Sequence, residues 1–468
     1  MLVVSRFITF LLLFLCITET IWGSGQILGL LHSKSYCSTP TGSFYNSGPF
    51  GGILAVTLPI LLENLYRARM RLPWVEWLLW LTAIYIVSLI IVSESRAACL
   101  ALGVAVIYLI GVHKKELPLR FLSHPMFILA IVAGLLIVLT GSYYLKKDSA
   151  DGRMFIWRIA ILAIKEQPLT GYGWDHVAGI YGEQQEAFFA SGQGTEHEEK
   201  IADAPEYMFN EYLQISMAWG IPSLIVSIII ISFTLHSGHL IGTWGLNAGL
   251  LSFMVFAFFS YPLQAPEFTV SLFLIIIGIH SQSRYKMLSL IVSIVCTILF
   301  FFYLLAVVRR HHLNEAWLQR QKSQQELYNE MKWNAKFLFS YGYRLHKRGL
   351  YQDSEKVIQD GIFVSSDPMF LLIQGKNAWY QQRPEEAEQW FLRATQRVPN
   401  RIYPYYLLAK LYSDSAYFNK NKFDWASNIV MIKPPKVYST AIQQMREEIN
   451  KLKQEICTEQ APELPNDI

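Results

Sequence analysis

Charge is scarce in this chain. Only 16% of its 468 residues are Asp, Glu, Lys or Arg, against about 25% in a typical soluble protein. Hydrophobic residues make up 52%, and mean hydropathy is +0.26. That balance excludes an ordinary soluble domain for most of the chain and points to lipid surroundings. A strong excess of one sign is missing too: the net charge is +4 and dispersed, so nucleic acid is not an expected partner. The five cysteines form no CxxC and no His/Cys cluster, which leaves neither metal-ligand spacing nor a dithiol motif. Neither a metal nor a cofactor is expected. Cys16, Cys99 and Cys296 fall in apolar runs as packing residues, and Cys37 and Cys457 are the pair open to an oxidising compartment. The first apolar run, RFITFLLLFLCIT, lacks a small-x-small cleavage site and reads as a retained span.

What the chain has in abundance is membrane-length apolar sequence. A spanning helix needs about 20 mostly apolar residues. Candidate spans are 5–22, 49–66, 76–93, 96–113, 124–142, 211–235, 244–262, 267–281 and 287–308. Arg67, Arg69 and Arg71 lie in one connection, Lys114, Lys115 and Arg120 in another, and Arg284 and Lys286 in a third. The positive-inside rule puts these three on the cytoplasmic side with the N-terminus. The long loop 143–210 and everything after Val308 are then exported. The expected fold is all-α: a polytopic bundle of about nine spans over residues 1–308, followed by a soluble helical domain.

Beyond Val308 the sequence turns polar. Gly342, Gly375 and Ala409 recur at intervals of about 33–34 residues. The unit LLIQGKNAWYQQRPEEAEQWFLRATQRVP shows the small/large alternation of a helix-turn-helix tetratricopeptide repeat, expected over 309–431. A C-terminal helix and tail occupy 432–468. There Ile442, Met445, Ile449, Leu452 and Ile456 recur at 3-4-3-4 spacing, either as a short coiled coil or as a helix packed on its own domain.

Residues able to carry chemistry cluster around the long loop. Arg96, in SESRAACLAL, sits at the exported end of a span. It reads either as a snorkelling anchor or as a contact to lipid phosphate or diphosphate, which guanidinium matches bidentately. DGRMFIWRIAILAIKE reads as an interfacial helix opened by Ser149 or Asp151 as N-cap, with Arg153 stacked over Trp157. Arg158 points about 140° away from Arg153 at 100° per residue and serves another neighbour. Two arginines, Arg96 and Arg153, converging on one exported pocket would suit a diphosphate leaving group without a metal. In PLTGYGWDH, Trp174 and His176 would meet a sugar or a headgroup. The acidic residues from Glu183 to Glu206 read as a solvated face. At ADAPEYMFNEYLQ, Asn210, Glu211 and Tyr212 stand at the mouth of a span. Asn210 either caps that helix or contacts substrate, and Glu211 or Asp203 could take a proton from an acceptor hydroxyl.

Four stretches together resemble a known family: TGSFYNSGPFGGILAVTLP (41–59, with Asn46), SESRAACLAL (93–102), DGRMFIWRIAILAIKEQPLTGYGW (151–174) and ADAPEYMFNEYLQISMAWGI (202–221). Their order and placement are similar to the superfamily of O-antigen ligases, O-antigen polymerases and protein O-oligosaccharyltransferases of bacterial envelopes. The resemblance covers about residues 20–310 and implies a GT-C-like membrane bundle. It implies metal-independent transfer of a glycan from undecaprenyl diphosphate to an acceptor hydroxyl on the periplasmic face of the inner membrane. The acceptor is lipid A-core in ligases, a second carrier-linked glycan in polymerases, and a protein in the third group. Carried over, Arg96 and Arg153 hold the diphosphate. The reading of the residues themselves adds Asn210 and Glu211 as catalytic candidates and Asn46, Trp157, Arg158, Trp174, His176, Asp203 and Tyr212 as substrate-binding candidates. Two departures stand out. Many family members have a His-Asn pair where this chain has Phe209-Asn210, so Glu211, Asp203 or His176 substitutes or the histidine's role is indirect. Relatives also carry more than one span ahead of TGSFYNSGPF. The non-enzymatic alternative is a membrane-anchored repeat scaffold that recruits an envelope protein.

Overall fold

The computed structural model describes residues 2–35, 40–67, 73–114, 129, 147–282 and 285–459. These residues are helical throughout, with no strand among them. They divide into two compact units, one of residues up to 147 with 208–216 and 221–312, the other of 148–207, 217–220 and 313 onward.

The first unit contains α1 (Leu2–Ile27), α2 (Ser47–Arg67), α3 (Pro73–Val92), α4 (Arg96–His113), α8 (Glu211–Ile241) apart from its residues 217–220, α9 (Trp244–Phe259), α10 (Pro266–His280) and most of α11 (Lys286–Leu318). These helices coincide with eight of the expected spans. Apart from residue 129, the run 124–142 lies outside the described residues, as do the side chains of Cys37 and Cys457. Six helices are long and apolar enough to cross a membrane, and α9 and α10 are apolar but shorter.

Helix α2 is the axis of this unit: 83% of its apolar window is buried, against 6% for α11. Small residues make that burial possible. Gly245 and Gly249 of α9 face Glu63, Ile60 and the Val56 carbonyl of α2, and the Ser252 hydroxyl donates to the Ala55 carbonyl at 2.7 Å. Small residues four apart let two membrane helices approach to backbone contact. Connections alternate between the two ends of the bundle. One end gathers a buried Glu63 bonded to His113 (2.8 Å) and to Arg67, whose guanidinium lies 4.8 Å over Trp244. The opposite end gathers the 40–46 loop, the turn 93–95, residues 208–211 and the turn 260–265.

The second unit contains α5 (Lys147–Glu166), α6 (Val177–Ala190), α7 (Glu196–Ile201) and the C-terminal helices. Helix α5 buries Phe155, Ile156, Ile159, Ala160, Ala163 and Ile164, a stripe at the 3.6-residue period. Phe155 meets Phe188 and Phe189 of α6 at 5.7 and 5.6 Å. The expectation of a helix opened by Ser149 or Asp151 is corrected here. The helix already includes Lys147, and Asp151 accepts a hydrogen bond from His197 at 3.2 Å instead of capping. Its apolar face is spent on protein.

Three helical hairpins follow: α13 (Ala335–Lys347) with α14 (Tyr351–Val364), α15 (Met369–Tyr380) with α16 (Pro384–Arg397), and α17 (Tyr403–Ser413) with α18 (Lys420–Ile432). A short α12 (Gln324–Leu327) precedes them. Gly342, Gly375 and Ala409 each sit in the first helix of a hairpin, where Gly342 admits Ile358 and Gly375 admits Phe391. Helix α19 (Thr440–Glu459) packs Ile449 into the same core, and Glu448 binds Tyr406 (2.5 Å) and Lys410 (2.7 Å). It is a helix docked on its own domain. Helix α11 runs unbroken past Val308, and its Leu313 and Ala316 join this core.

Candidate functional site

At the loop-bearing end of the first unit, the 40–46 stretch is held by two polar residues of α1. Gln26 accepts from the backbone N–H groups of Thr41 and Gly42 (both 2.8 Å) and donates to the Gly42 carbonyl (3.0 Å). Glu19 accepts from Ser43 N–H at 3.0 Å. Gly42 has φ +55°, and a Cβ there would strike Glu19 and Phe50, so only glycine fits. Sequence reasoning missed Glu19 and Gln26, although two buried polar residues closing an apolar run were a signal. Asn46 is exposed and accepts from Gly48 N–H at 3.2 Å.

The turn 93–95 lies against Gly51 of α2, where a Cβ would collide with the Ser93 hydroxyl. Glu94 takes the left-handed conformation (φ 53°), and Ser95 caps α4 by accepting from Ala98 N–H at 3.3 Å. Arg96 is therefore the first residue of α4, half-buried. Its guanidinium adds to the positive end of the helix dipole, a combination suited to an anion.

The entry to α8 completes this end. Phe209 has φ 51° and packs edge-on against Tyr261 at 5.3 Å. Asn210 caps the helix, its side-chain oxygen accepting from Tyr212 N–H (3.0 Å) and Leu213 N–H (3.2 Å). The Tyr212 hydroxyl donates to the Met254 carbonyl at 3.1 Å. Both residues thus have structural work. Glu211 differs. It is 3% exposed, its Oε1 accepts from Leu263 N–H at 2.7 Å, and its Oε2 has no hydrogen-bond partner among the described residues. A buried carboxylate oxygen without a partner is costly, so such an atom calls for a ligand or a function.

The remaining candidates belong to the second unit. Arg153 and Trp157 are half-buried on successive turns of α5. Arg158 points elsewhere, as its helical phase requires: it pairs with Glu198 at 2.5 Å and lies 4.8 Å over Phe188. Trp174 stacks on Trp219 at 4.9 Å and 18°. The exposed His176 bonds the Tyr172 carbonyl through Nδ1 at 3.1 Å. This PLTGYG turn pairs with the break in α8: Tyr172 N–H donates to Met217 O and Gly173 N–H to Ala218 O, both at 2.8 Å. Gly220, with φ 79°, interrupts the helix there. Burial works against the Asp203 charge, but Lys436 at 2.7 Å, Ala204 N–H and Arg401 outweigh it and hold the carboxyl below its ordinary value. Asp203 is thereby an ion-pair partner and a weak base.

Part of the acidic segment is engaged with protein, while Glu196 and Glu206 are exposed, as a solvated face requires. Glu186 bonds the fully buried Arg397 at 2.9 Å and Arg393 at 2.5 Å. Gly179 and Gly182 bring α6 against the backbone of Phe363 and Ser366, and Asn400 donates to the Ala202 carbonyl at 2.6 Å. Among the described residues, no three His, Cys, Asp or Glu side chains group as metal ligands.

Residues 81–228 match the family model described as O-antigen ligase. No curated protein and no solved structure matches the chain. The matched span contains every candidate residue of the sequence analysis except Asn46.

Proposed function

Residues 81–228 belong to the O-antigen ligase superfamily, and on that premise we propose that this chain transfers a glycan from undecaprenyl diphosphate to an acceptor hydroxyl, most simply ligating O-antigen to lipid A-core. Reaction occurs at the loop-bearing end of the membrane bundle, which faces the periplasm if the Arg67 and Lys114 end is cytoplasmic. The bond from the anomeric carbon to the diphosphate oxygen breaks, and its electron pair leaves with the diphosphate. Arg96, at the N-terminus of α4, takes up that charge, with Arg153 as a second guanidinium to be tested separately. The acceptor oxygen forms the new bond to the anomeric carbon. Its proton passes to Glu211, whose buried Oε2, without a hydrogen-bond partner among the described residues, is the observation that carries this reading. Asn210 positions Glu211 by fixing the start of α8.

The test is chromosomal deletion with complementation by wild type, Arg96→Ala, Arg96→Lys and Glu211→Gln, read by lipopolysaccharide banding, carrier-linked glycan content and glycoprotein staining. Ligation predicts loss of long-chain lipopolysaccharide with polymer accumulating on the carrier. Loss of the polymer itself would replace ligation by polymerisation. Unchanged lipopolysaccharide with lost glycoproteins would replace it by protein glycosylation. A scaffold alone would tolerate all three substitutions.

A further inference from the structure

The first helices of the three hairpins, α13, α15 and α17, line a cavity of about 500 Å³, within the size range of ligand pockets. Its walls alternate flat aromatic rings with ammonium groups. Lys347 lies 5.5 Å over the Tyr343 ring, Lys376 lies 5.0 Å over Tyr403, and Lys410 lies 5.5 Å over Tyr406. Tyr380 is 63% exposed beside them.

The charges in this cavity are not balanced. Lys410 has Glu448 as its partner at 2.7 Å. Lys347 and Lys376 have no carboxylate partner among the described residues, and Lys376 bonds only the Tyr403 hydroxyl, at 2.5 Å. The one lining carboxylate, Asp414, accepts from Trp379 Nε1 at 2.9 Å and from Ala416 N–H. His346 registers the excess. Burial and then the charges of Lys376 and Lys347 hold it below its ordinary pKa, despite its hydrogen bond with Asn377. Among the described residues this groove therefore carries an excess of positive charge.

The polar inventory narrows the ligand further. An extended peptide needs carboxamides to bond its backbone, but the nearby ones are already used. Asn377 bonds His346 (2.7 Å) and Ser354 (2.9 Å), and Gln381 bonds Glu355 (2.7 Å). What remains on offer is the exposed rings of Tyr343 and Tyr380 for the apolar faces of sugar rings and ammonium groups for an acidic substituent. We propose that this groove binds an anionic saccharide, with Lys347 and Lys376 on its carboxylate or phosphate and the tyrosine rings on its sugar faces. The idea rests on the glycan-transfer reading and deepens it, because such a saccharide is either the acidic glycan being transferred or a phosphorylated acceptor core.

Binding is measured on the full chain in detergent by calorimetry, with tetragalacturonate, mannose 6-phosphate, neutral maltotetraose and tetraglutamate as probes. The expected result is saturable binding of an acidic sugar, weakened about tenfold or more by Lys347→Ala with Lys376→Ala, and weaker binding of maltotetraose and tetraglutamate. Preference for the carboxylated tetramer points to the donor glycan, and preference for the phosphorylated sugar points to the acceptor. Tighter binding of tetraglutamate, equal binding of maltotetraose, or no effect of the lysine pair would overturn the proposal. Tyr380→Ala, an exposed site, gives a second variant that keeps the fold. Loss of transfer by Glu211→Gln with sugar binding intact leaves the two ideas standing separately. Absent sugar binding beside intact transfer removes the groove alone, and intact sugar binding beside absent transfer in wild type removes the enzyme alone.

Discussion

Replacing Glu186 by Gln should destabilise the second unit more than any other single loss of charge in the 148–207 segment. Arg397 is fully buried, with Nε at 3.2 Å and Nη2 at 2.9 Å from the Glu186 carboxylate, while its Nη1 lacks a partner among the described residues. Burial pulls the guanidinium's pKa down and Glu186 pulls it back up. Removing the carboxylate leaves a charge in the core without compensation, which costs about 3–5 kcal/mol in comparable buried pairs. Arg393, the other partner of Glu186, is 35% exposed, so Arg393→Ala should cost at most about 1 kcal/mol. For a unit of this size each kcal/mol lowers the melting temperature by about 2–4 °C. Glu186→Gln should therefore lower the melting point of the full chain in detergent by about 6–20 °C and speed proteolysis between α6 and α7. Glu186→Leu combined with Arg397→Met should recover much of the loss, since apolar residues tolerate that site better than one unpaired ion. A shift smaller than that of Arg393→Ala would refute the claim that the buried pair ties α6 to α16.

Two further outcomes follow from the geometry. Gly171 has φ +64°, and a Cβ there would strike the backbone of Met217, Ala218 and Trp219. Gly171→Ala should break the pairing with Met217 and Ala218, cost about 2 kcal/mol or more, and expose the loop to protease, whereas Gly192→Ala, with open space around it, should cost only its conformational strain. Burial raises the Glu388 carboxyl, but Lys422, Tyr412 and Tyr417 outweigh it and hold its pKa below 4.5. Its contribution is thus fully present above the unfolded value near 4.5 and disappears as pH falls through the lower folded value. Melting temperature should drop on acidification below 4.5, and the drop should be smaller in Glu388→Gln.

Much of this molecule could be read in the sequence because local physics determines it. Apolar length marked eight helices of the first unit, and the interval between Gly342, Gly375 and Ala409 marked a run of paired helices, since a small residue is needed wherever paired helices cross closely. The capping role of Asn210 was one of its two readings from residue type alone. What escaped was long-range. Glu186 and Asp203 looked solvated because their partners, Arg393, Arg397, Arg401 and Lys436, lie about two hundred residues away in the chain. Gly179 and Gly182 gave no periodic signal, yet they admit the backbone of Phe363 and Ser366. Gly245 and Gly249 were legible as a small-residue pair, but span counting weighs length and overlooks such a face. For the candidate site, sequence picked Arg96 and Glu211, and geometry separated Glu211 from Asn210 and Tyr212 by what each side chain already bonds.

The most direct test is transfer by the purified full chain in liposomes, supplied with undecaprenyl-diphosphate-linked O-antigen and lipid A-core. Covalent glycan on lipid A-core should appear together with equimolar undecaprenyl diphosphate. The rate should fall by about 10²-fold or more in Arg96→Ala and in Glu211→Gln. Wild-type rates in both variants, or no glycan joined to any acceptor hydroxyl, would contradict transfer at this end of the bundle.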